Sequence, residues 1–489
     1  MIAEAIERNA ENHPDDLAVI GPDQQFTFTQ FRDAVRHCAN RLHADGLGPG
    51  DVVGISVADD VANFIATFAL LRLGCVQVLL PTRETASVRA DLAARVGCRV
   101  CLSDAPGEVS GHGADDAADD GLARLAVARG MDDVDRVPHR PDADDLAMFL
   151  TSSGTTGRPK IAALTHGNLV GQAGHWIAPP HRIVHLRLSS MEYNNTRKLR
   201  LHSVRAASTN VFVAPVGADA IETCHRYGVT FIGLTVPQAR ELVRRARAEG
   251  RSLPEGCRMR IGGSSVSREL RAEVVDHLTP HLGVTYATSE FGSVATARPE
   301  HFDIDPASVG MVHDGVELEI VDAAGKPLPS GSRGEIRVRA PDMLGTYHGD
   351  PEASAKAFRD GWFYPGDVGR LLPGNLLAID GRADDMMSMA SMNVFPSEIE
   401  AVVGRHPDVA ECAAFSVRSG SIGDIPMVAI VPVGNAADTD AVLSFAREHL
   451  GRRSPRRVLP LDAIPLTAAG KVDRISLRSL FLEGPGGGA

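Results

Sequence analysis

The stretch "TSSGTTGRPK", Thr151 to Lys160, gathers small hydroxyl side chains, two glycines and a lysine directly after the apolar run "LAMFL". A strand that ends in such a turn offers free backbone amides and hydroxyls, a nest able to cradle an anion. A Walker loop requires Gly, four residues, then Gly-Lys-Ser/Thr. Here two residues separate Gly154 from Gly157, Lys160 follows three later and Ile161 comes next, so the spacing excludes that type. Further downstream lie Glu290 in "YATSEFG", Asp367 in "GWFYPGDVGR", Arg382 in "GRADD" and Lys471 in "PLTAAGKVDR". Taken alone, Asp367 reads as a turn acid and Arg382 and Lys471 as solvated surface charges; their shared order along the chain is what needs explaining.

The elements that must position them are legible in the hydrophobic pattern. "FTQFRDAVRHCANRLHADG" carries Phe31, Val35, Ala39 and Leu42 at helical spacing and stops at Gly46. "VVGISV" follows as a strand, "VANFIATFALLRLG" as a helix ending at Gly74, and "VQVLLP" as a strand, the rhythm of a parallel α/β sheet. "VGMVHDGVELEIVDAAGKPLPSGSRGEIRVRA" alternates with period two between turn residues, which predicts antiparallel strands. After "GRADD" the pattern restarts as mixed helix and strand, enough for a small C-terminal domain. "SDAPGEVSGHGADDAADDG" reads as a solvated loop, and "GPGGGA" as a flexible tail.

A chain of 489 residues is too long for one ordinary core. Its formal net charge of -12 argues against a bulk nucleic-acid binder, and aromatics at 5% argue against single-strand stacking platforms. No apolar run is long enough to cross a bilayer, and "MIAEAIERNAENHPDD" lacks the features of a secretion signal, so a cytoplasmic protein without membrane or nucleic-acid partners is expected. The seven cysteines read as reduced buried thiols; Cys98 and Cys101 form a C-x-x-C with no second pair or matching His cluster.

Taken together and in order, these motifs resemble the adenylate-forming superfamily: acyl- and aryl-CoA synthetases, luciferases and adenylation domains of peptide synthetases. "YATSEFG" is similar to its Tyr-Gly-x-Thr/Ser-Glu motif and "GWFYPGDVGR" carries its Tyr-x-Gly-Asp as Tyr364, Gly366 and Asp367. "GRADDMMSMASMNVFPSEIE" resembles the domain-joining segment and "PLTAAGKVDR" the C-terminal lysine motif, with weaker echoes in "LRLGCVQVLLP" and "IGGSS". The resemblance runs from about residue 5 to 480. It implies an α/β fold: a large N-terminal domain (1–383) of parallel-sheet subdomains with a small β-barrel-like subdomain, and a small mobile α+β C-terminal domain (384–489). It also implies a reaction in which a carboxylate and MgATP give acyl-AMP and pyrophosphate, and the acyl group then passes to the thiol of CoA.

On that resemblance Thr151, Ser152, Ser153, Gly154, Thr155, Thr156, Gly157 and Lys160 hold phosphates, and Glu290 is an oxygen ligand for Mg²⁺. Tyr286 stacks beside adenine, with Ser264, Ala287, Thr288 and Ser289 nearby. Asp367, assisted by Arg382, takes the ribose hydroxyls. Lys471 bridges the substrate carboxylate and the α-phosphate, where charge builds during adenylation. Asp384 is the hinge about which the C-terminal domain rotates between the two half-reactions. His166 in "LTHGNL" matches a further family position and is also suited to a helix start.

Two departures from the family pattern stand out. The joining segment reads Met389, Ala390, Ser391, Met392, Asn393 where acyl-CoA ligases carry a glycine-rich turn beside the pantetheine tunnel, which opens the alternative of a separate carrier protein as acceptor. The segment "LSSMEYNNTRKLRLHSVRAAS" replaces a mostly apolar helix that lines the acyl pocket. It admits two readings: a surface helix with solvated charges at Arg197, Lys198, Arg200 and Arg205, or a pocket lined by Tyr193, Asn194 and Asn195, with Gly263, for an aromatic or polar-substituted acid. A degenerate nucleotide-binding relative without ligase activity is the remaining alternative, against which Lys471, Glu290 and Asp367 argue.

Overall fold

The computed structural model describes residues 1–104, 122–137, 140–152, 159–174, 183–212, 219–389, 392–419, 423–434, 437–467 and 471–483. Among these residues three sheets form, of fifteen, six and five strands. The predicted alternation at the N-terminus is present: helix Phe28–Ala44, strand Val52–Ser56, helix Asp60–Leu73 and strand Val76–Leu79. Thr27 and Gln30 close a reciprocal capping box at the start of the first helix. Asp59 caps the second by accepting from the amides of Val61 and Ala62, and Gly74, at φ +73°, ends it. That second helix is enclosed on every side: each residue from Val61 to Leu73 is buried. It shares one core cluster with Val53 and Ile55 of the six-stranded sheet and Val19 of the large sheet.

The six-stranded sheet is parallel except at one edge, where Leu146–Ser152 and Lys160–Thr165 pair antiparallel with Ser152 opposite Lys160. This hairpin carries the first motif; Ser153, Gly154, Thr155, Thr156 and Gly157 lie outside the described residues, as do Ala390 and Ser391 and nearly all of the segment read as a solvated loop.

In the large sheet the strands Val184–Arg187, Phe231–Leu234, Arg258–Gly262 and Leu282–Thr288 run parallel, and Gly292–Ala297 begins an antiparallel continuation. The predicted antiparallel strands are present as Ser308–Val312, Glu317–Val321 and Gly334–Arg339, and through Gly292–Ala297 they join the parallel strands in the large sheet. One face of the parallel strands packs Leu186, Ile232, Met259, Ile261 and Val284 into a second core with the helices Val236–Glu249 and Arg268–His277.

The large sheet's strand Leu376–Arg382 is followed by the turn holding Asp384, and the five-stranded sheet opens with Met387–Met389. Across this junction Ser397 Oγ donates to the Asp380 carbonyl, and Arg333, whose Nε donates to Asp380 Oδ2 at 2.8 Å, pairs with Glu398 at 3.7 Å. All seven cysteines are free thiols, and six of them are buried.

Candidate active site

The first cluster of predicted residues forms where the large sheet turns from parallel to antiparallel. Asp367 opens the strand Asp367–Leu372 directly opposite Arg382. The Tyr286 hydroxyl donates to Asp367 Oδ2. Arg382 Nη1 donates to the Pro365 carbonyl at 2.6 Å and to Asp367 Oδ1 at 3.4 Å. Gly366 makes this possible: it sits at φ +80°, and a Cβ there would come within 3.1 Å of Arg382 Nη2. Burial pushes the Asp367 carboxyl above the usual range, while Arg382, the Tyr286 hydroxyl and the Lys471 ammonium act against that rise. Burial and the neighbouring Asp367 push the Tyr286 phenol far upward, so it remains a donor.

Lys471 reaches this corner from the C-terminal sheet's side. It is exposed, and its turn is pinned by Thr467 N donating to the Lys471 carbonyl at 2.7 Å and by the Leu466–Val472 bridge. Behind it, Arg474 donates to Glu400 Oε1 and to the Ala414 carbonyl, both at 2.9 Å, fixing the helix Arg474–Glu483 to the sheet.

The second cluster centres on Glu290, which is 7% exposed. Its Oε1 accepts from the Tyr347 hydroxyl at 2.7 Å, and Lys160 Nζ lies 5.0 Å from the centre of the Tyr347 ring. The phosphate-loop hairpin and Glu290 therefore meet across Tyr347. Lys198 Nζ donates to Gln172 Oε1 at 3.1 Å and to the Ser289 carbonyl at 3.4 Å, and burial lowers its pKa to about 8 against the attraction of Glu290 and Asp342. Tyr347, Gln172 and Lys198 are parts of the site that sequence reasoning missed as such. Among the described residues no group of three or more His, Cys, Asp or Glu could cage a metal. Mg²⁺ keeps several waters and takes one or two carboxylates plus phosphate oxygens, a requirement that the single buried carboxylate of Glu290 could meet.

Of the remaining predicted residues, Gly263 (φ +94°) and Ser264 are exposed beyond the strand Arg258–Gly262, and Ala287 is exposed beside Tyr286. Thr288 Oγ1 accepts from Phe291 N at 3.1 Å, shaping the turn that presents Glu290. Asn194, at the start of the helix Asn194–Arg205, donates to the Thr151 carbonyl at 3.2 Å and to Thr151 Oγ1 at 3.1 Å, which ties this helix to the phosphate-loop strand. Tyr193 and Asn195 are exposed, and the Arg83 guanidinium stacks 4.1 Å from the Tyr193 ring centre. The solvated-face reading of this helix is overturned at three positions: Arg197, Lys198 and Arg200 are buried, and only Arg205 is exposed. His166 is buried at the first position of the helix His166–Gly174, and Asp384 is exposed in the inter-sheet turn.

The chain matches the AMP-binding enzyme family over residues 6–348 and the AMP-binding enzyme C-terminal domain over residues 398–471. It belongs to that family. Within it the chain falls in the acyl- and aryl-CoA synthetase branch, AMP-forming ligases that use ATP and Mg²⁺. It is 27% identical to an indoleacetate–CoA ligase from Aromatoleum aromaticum, over 98% of each chain. It is 28% identical to a 2-succinylbenzoate–CoA ligase from Geobacillus kaustophilus, over 96% of each. Its fold superposes on an amide bond synthetase from Marinactinospora thermotolerans with TM-score 0.87 at 23% identity, covering 98% of this chain and 100% of that one. No helix among the described residues is long and apolar enough to cross a membrane.

Proposed function

We propose that this enzyme activates an aromatic or polar-substituted carboxylic acid as its acyl-adenylate and transfers the acyl group to the thiol of CoA. The observation that carries this reading is the convergence at Asp367: Tyr286 and Arg382 bond to its carboxylate, and the Lys471 ammonium lies near enough to stabilise it. Asp367 retains lone pairs for the ribose hydroxyls beyond those used by Tyr286 and Arg382. Lys471, entering from the C-terminal sheet, is suited to meet the negative charge that develops between the carboxylate oxygen and the α-phosphate. Glu290 would hold the Mg²⁺ that neutralises the departing pyrophosphate, with Lys160 and the loop from Thr151 on the phosphate side. In this scheme residues 1–383 bind nucleotide and acid, and residues 384–489 turn about Asp384 between half-reactions. The acids named for relatives, indoleacetate and 2-succinylbenzoate, support an acid with ring or polar character.

Pyrophosphate release over a panel of acids tests the reaction. Lys471→Ala should slow adenylation by about 100- to 1,000-fold, the usual loss when one preorganised transition-state partner is removed. It should largely spare conversion of supplied acyl-AMP to the thioester. Equal loss in both half-reactions would contradict the assigned role. Offering preformed adenylate to CoA and to a pantetheinylated carrier protein identifies the acceptor.

A further inference from the structure

Four neighbouring strands of the large sheet place one residue each in a single cross-strand row: Arg187, Gly233, Arg260 and Gly283. Their row lies on the face opposite the second core, because Leu186, Ile232, Leu234, Met259, Ile261, Leu282 and Val284 occupy the alternate positions. The two glycines leave the ground between and beside the arginines clear of side chains. The Arg187 guanidinium lies over Gly233, where a Cβ would meet its Nη2 at 2.7 Å.

Arg187 is only 8% exposed and Arg260 is half-buried. Neither side chain makes a hydrogen bond or ion pair to any described residue, and Arg187 Nε is buried without a partner. Burial first, and then the nearby Arg200 and Arg260, lower the Arg187 pKa to about 9. No acid among the described residues offsets this. Elsewhere the chain treats a buried arginine differently: Arg72, 3% exposed, pairs with both Glu7 and Asp135. A buried cation without an acceptor is costly. Arg260, half-buried two strands away in the same row, adds a second positive charge, and a purely structural role would be served by an acceptor.

The row's place in the sheet says what the acceptor is. Ligands of parallel α/β sheets bind beyond the carboxyl ends of the strands. Arg260 lies two residues, about 6.6 Å, before Gly262 on the strand that runs out into Gly263 and Ser264, and shares a face with Gly262. The helix Asn194–Arg205 spans the same interval, from Asn194 at the phosphate-loop strand to Arg200, whose Nη2 donates to the Arg187 carbonyl at 3.3 Å. We propose that the acid substrate carries a second anionic group, separated from the reacting carboxylate by a ring or a short chain, and that Arg187 and Arg260 bind that group. The substrate class is thus a dicarboxylic acid or its sulfonate counterpart. This inference rests on the adenylation reading for the position of the reacting carboxylate.

Calorimetric titration of the full-length chain with isophthalate and benzoate, and with glutarate and pentanoate, measures binding whether or not turnover follows. Each dicarboxylate should bind at least tenfold more tightly than its monocarboxylate partner. The ratio should fall towards one in Arg187→Met and in Arg260→Gln, two variants on separate strands, so that misfolding of either leaves the other as the test. Equal affinities in the wild type, or a ratio retained in a folded variant, would overturn the proposal. Pyrophosphate release with the same acids separates this inference from the reaction. Preference in binding without release would refute the ligase reading and leave the anion site. Release without preference would do the reverse.

Discussion

Asp367 and Arg187 are both charged, both mostly buried and both on strands of the large sheet, yet they are held in opposite ways. Asp367 is surrounded by complementary groups: Tyr286 on one oxygen, Arg382 on the other, and Lys471 nearby. Arg187 has cations for company, Arg200 and Arg260, and no acceptor for its guanidinium among the described residues. The contrast separates two uses of a buried charge. A carboxylate already satisfied by donors is preorganised: it keeps its orientation without a ligand and offers its remaining lone pairs to one. A cation left unsatisfied stores an unfavourable energy that only an arriving anion relieves, so it raises discrimination between ligands at the expense of the free enzyme.

The contrast predicts that the charge of Arg187 can be removed without loss of stability. Replacing Arg187 by Met removes an uncompensated buried charge while keeping most of the volume. Substitutions of that kind are often neutral or stabilising by about 1–4 kcal/mol. Urea unfolding of Arg187→Met should therefore show an unchanged or higher midpoint. A fall of about 3 kcal/mol or more would mean that Arg187 has a partner on which the fold depends, and the distinction between the two regions would collapse.

Asp367→Asn probes the other side. The amide keeps the shape and one acceptor oxygen but loses the charge that Tyr286 and Arg382 address. Hydrogen bonds to a charged group contribute about 1.5–3 kcal/mol, so the KM for ATP should rise roughly 10- to 150-fold. The unfolding midpoint should move little, since burial already disfavours the charged form. An unmoved KM for ATP would remove Asp367 from the nucleotide site.

How much of this could be read from the chain differs between the two regions for a physical reason. Asp367, Arg382, Glu290 and Lys471 sit in turns or at strand ends, where local sequence sets the backbone and a motif survives intact. The alternation of the first hundred residues was equally legible, because burial on a sheet or helix face leaves a period. The arginine row is assembled from strands far apart in sequence and has no local motif. Its trace was nevertheless there: "VHLR" and "RMRIG" alternate His or Arg with apolar residues, a period-two pattern with polar groups where solvent was the natural assumption. The helix Asn194–Arg205 misled in the same way, since composition alone cannot tell a solvated arginine from one enclosed beneath a site. Tyr347 gave no sequence signal; its segment is held beside Glu290 by Leu344 N donating to the Glu290 carbonyl at 3.0 Å, and against the phosphate-loop hairpin by the antiparallel Ala162–Tyr347 bridge.

The smallest expected effect sharpens the contrast by titration. His185, 1% exposed on the strand Val184–Arg187, has its pKa held well below the ordinary 6.5 by burial first and then by Arg187, Arg200 and Arg260. The unfolded chain protonates this imidazole near its ordinary value, while the folded protein keeps it neutral. Below about pH 6.5 the unfolded state therefore binds more protons, and stability present above that pH is lost as pH falls. From this single group the loss is at most about 1.4 kcal/mol per pH unit. His185→Phe, which sets a ring of similar size against Phe231, removes that contribution and leaves other acid-titrating groups in place. Urea unfolding at pH 7.5 and pH 5 should then show the wild type losing about 2 kcal/mol more than the variant. Parallel losses in the two proteins would mean that His185 accepts its proton in the folded state. The positive field of the arginine row would then already be offset without a bound anion, and the reason for expecting a dianionic acid would go with it.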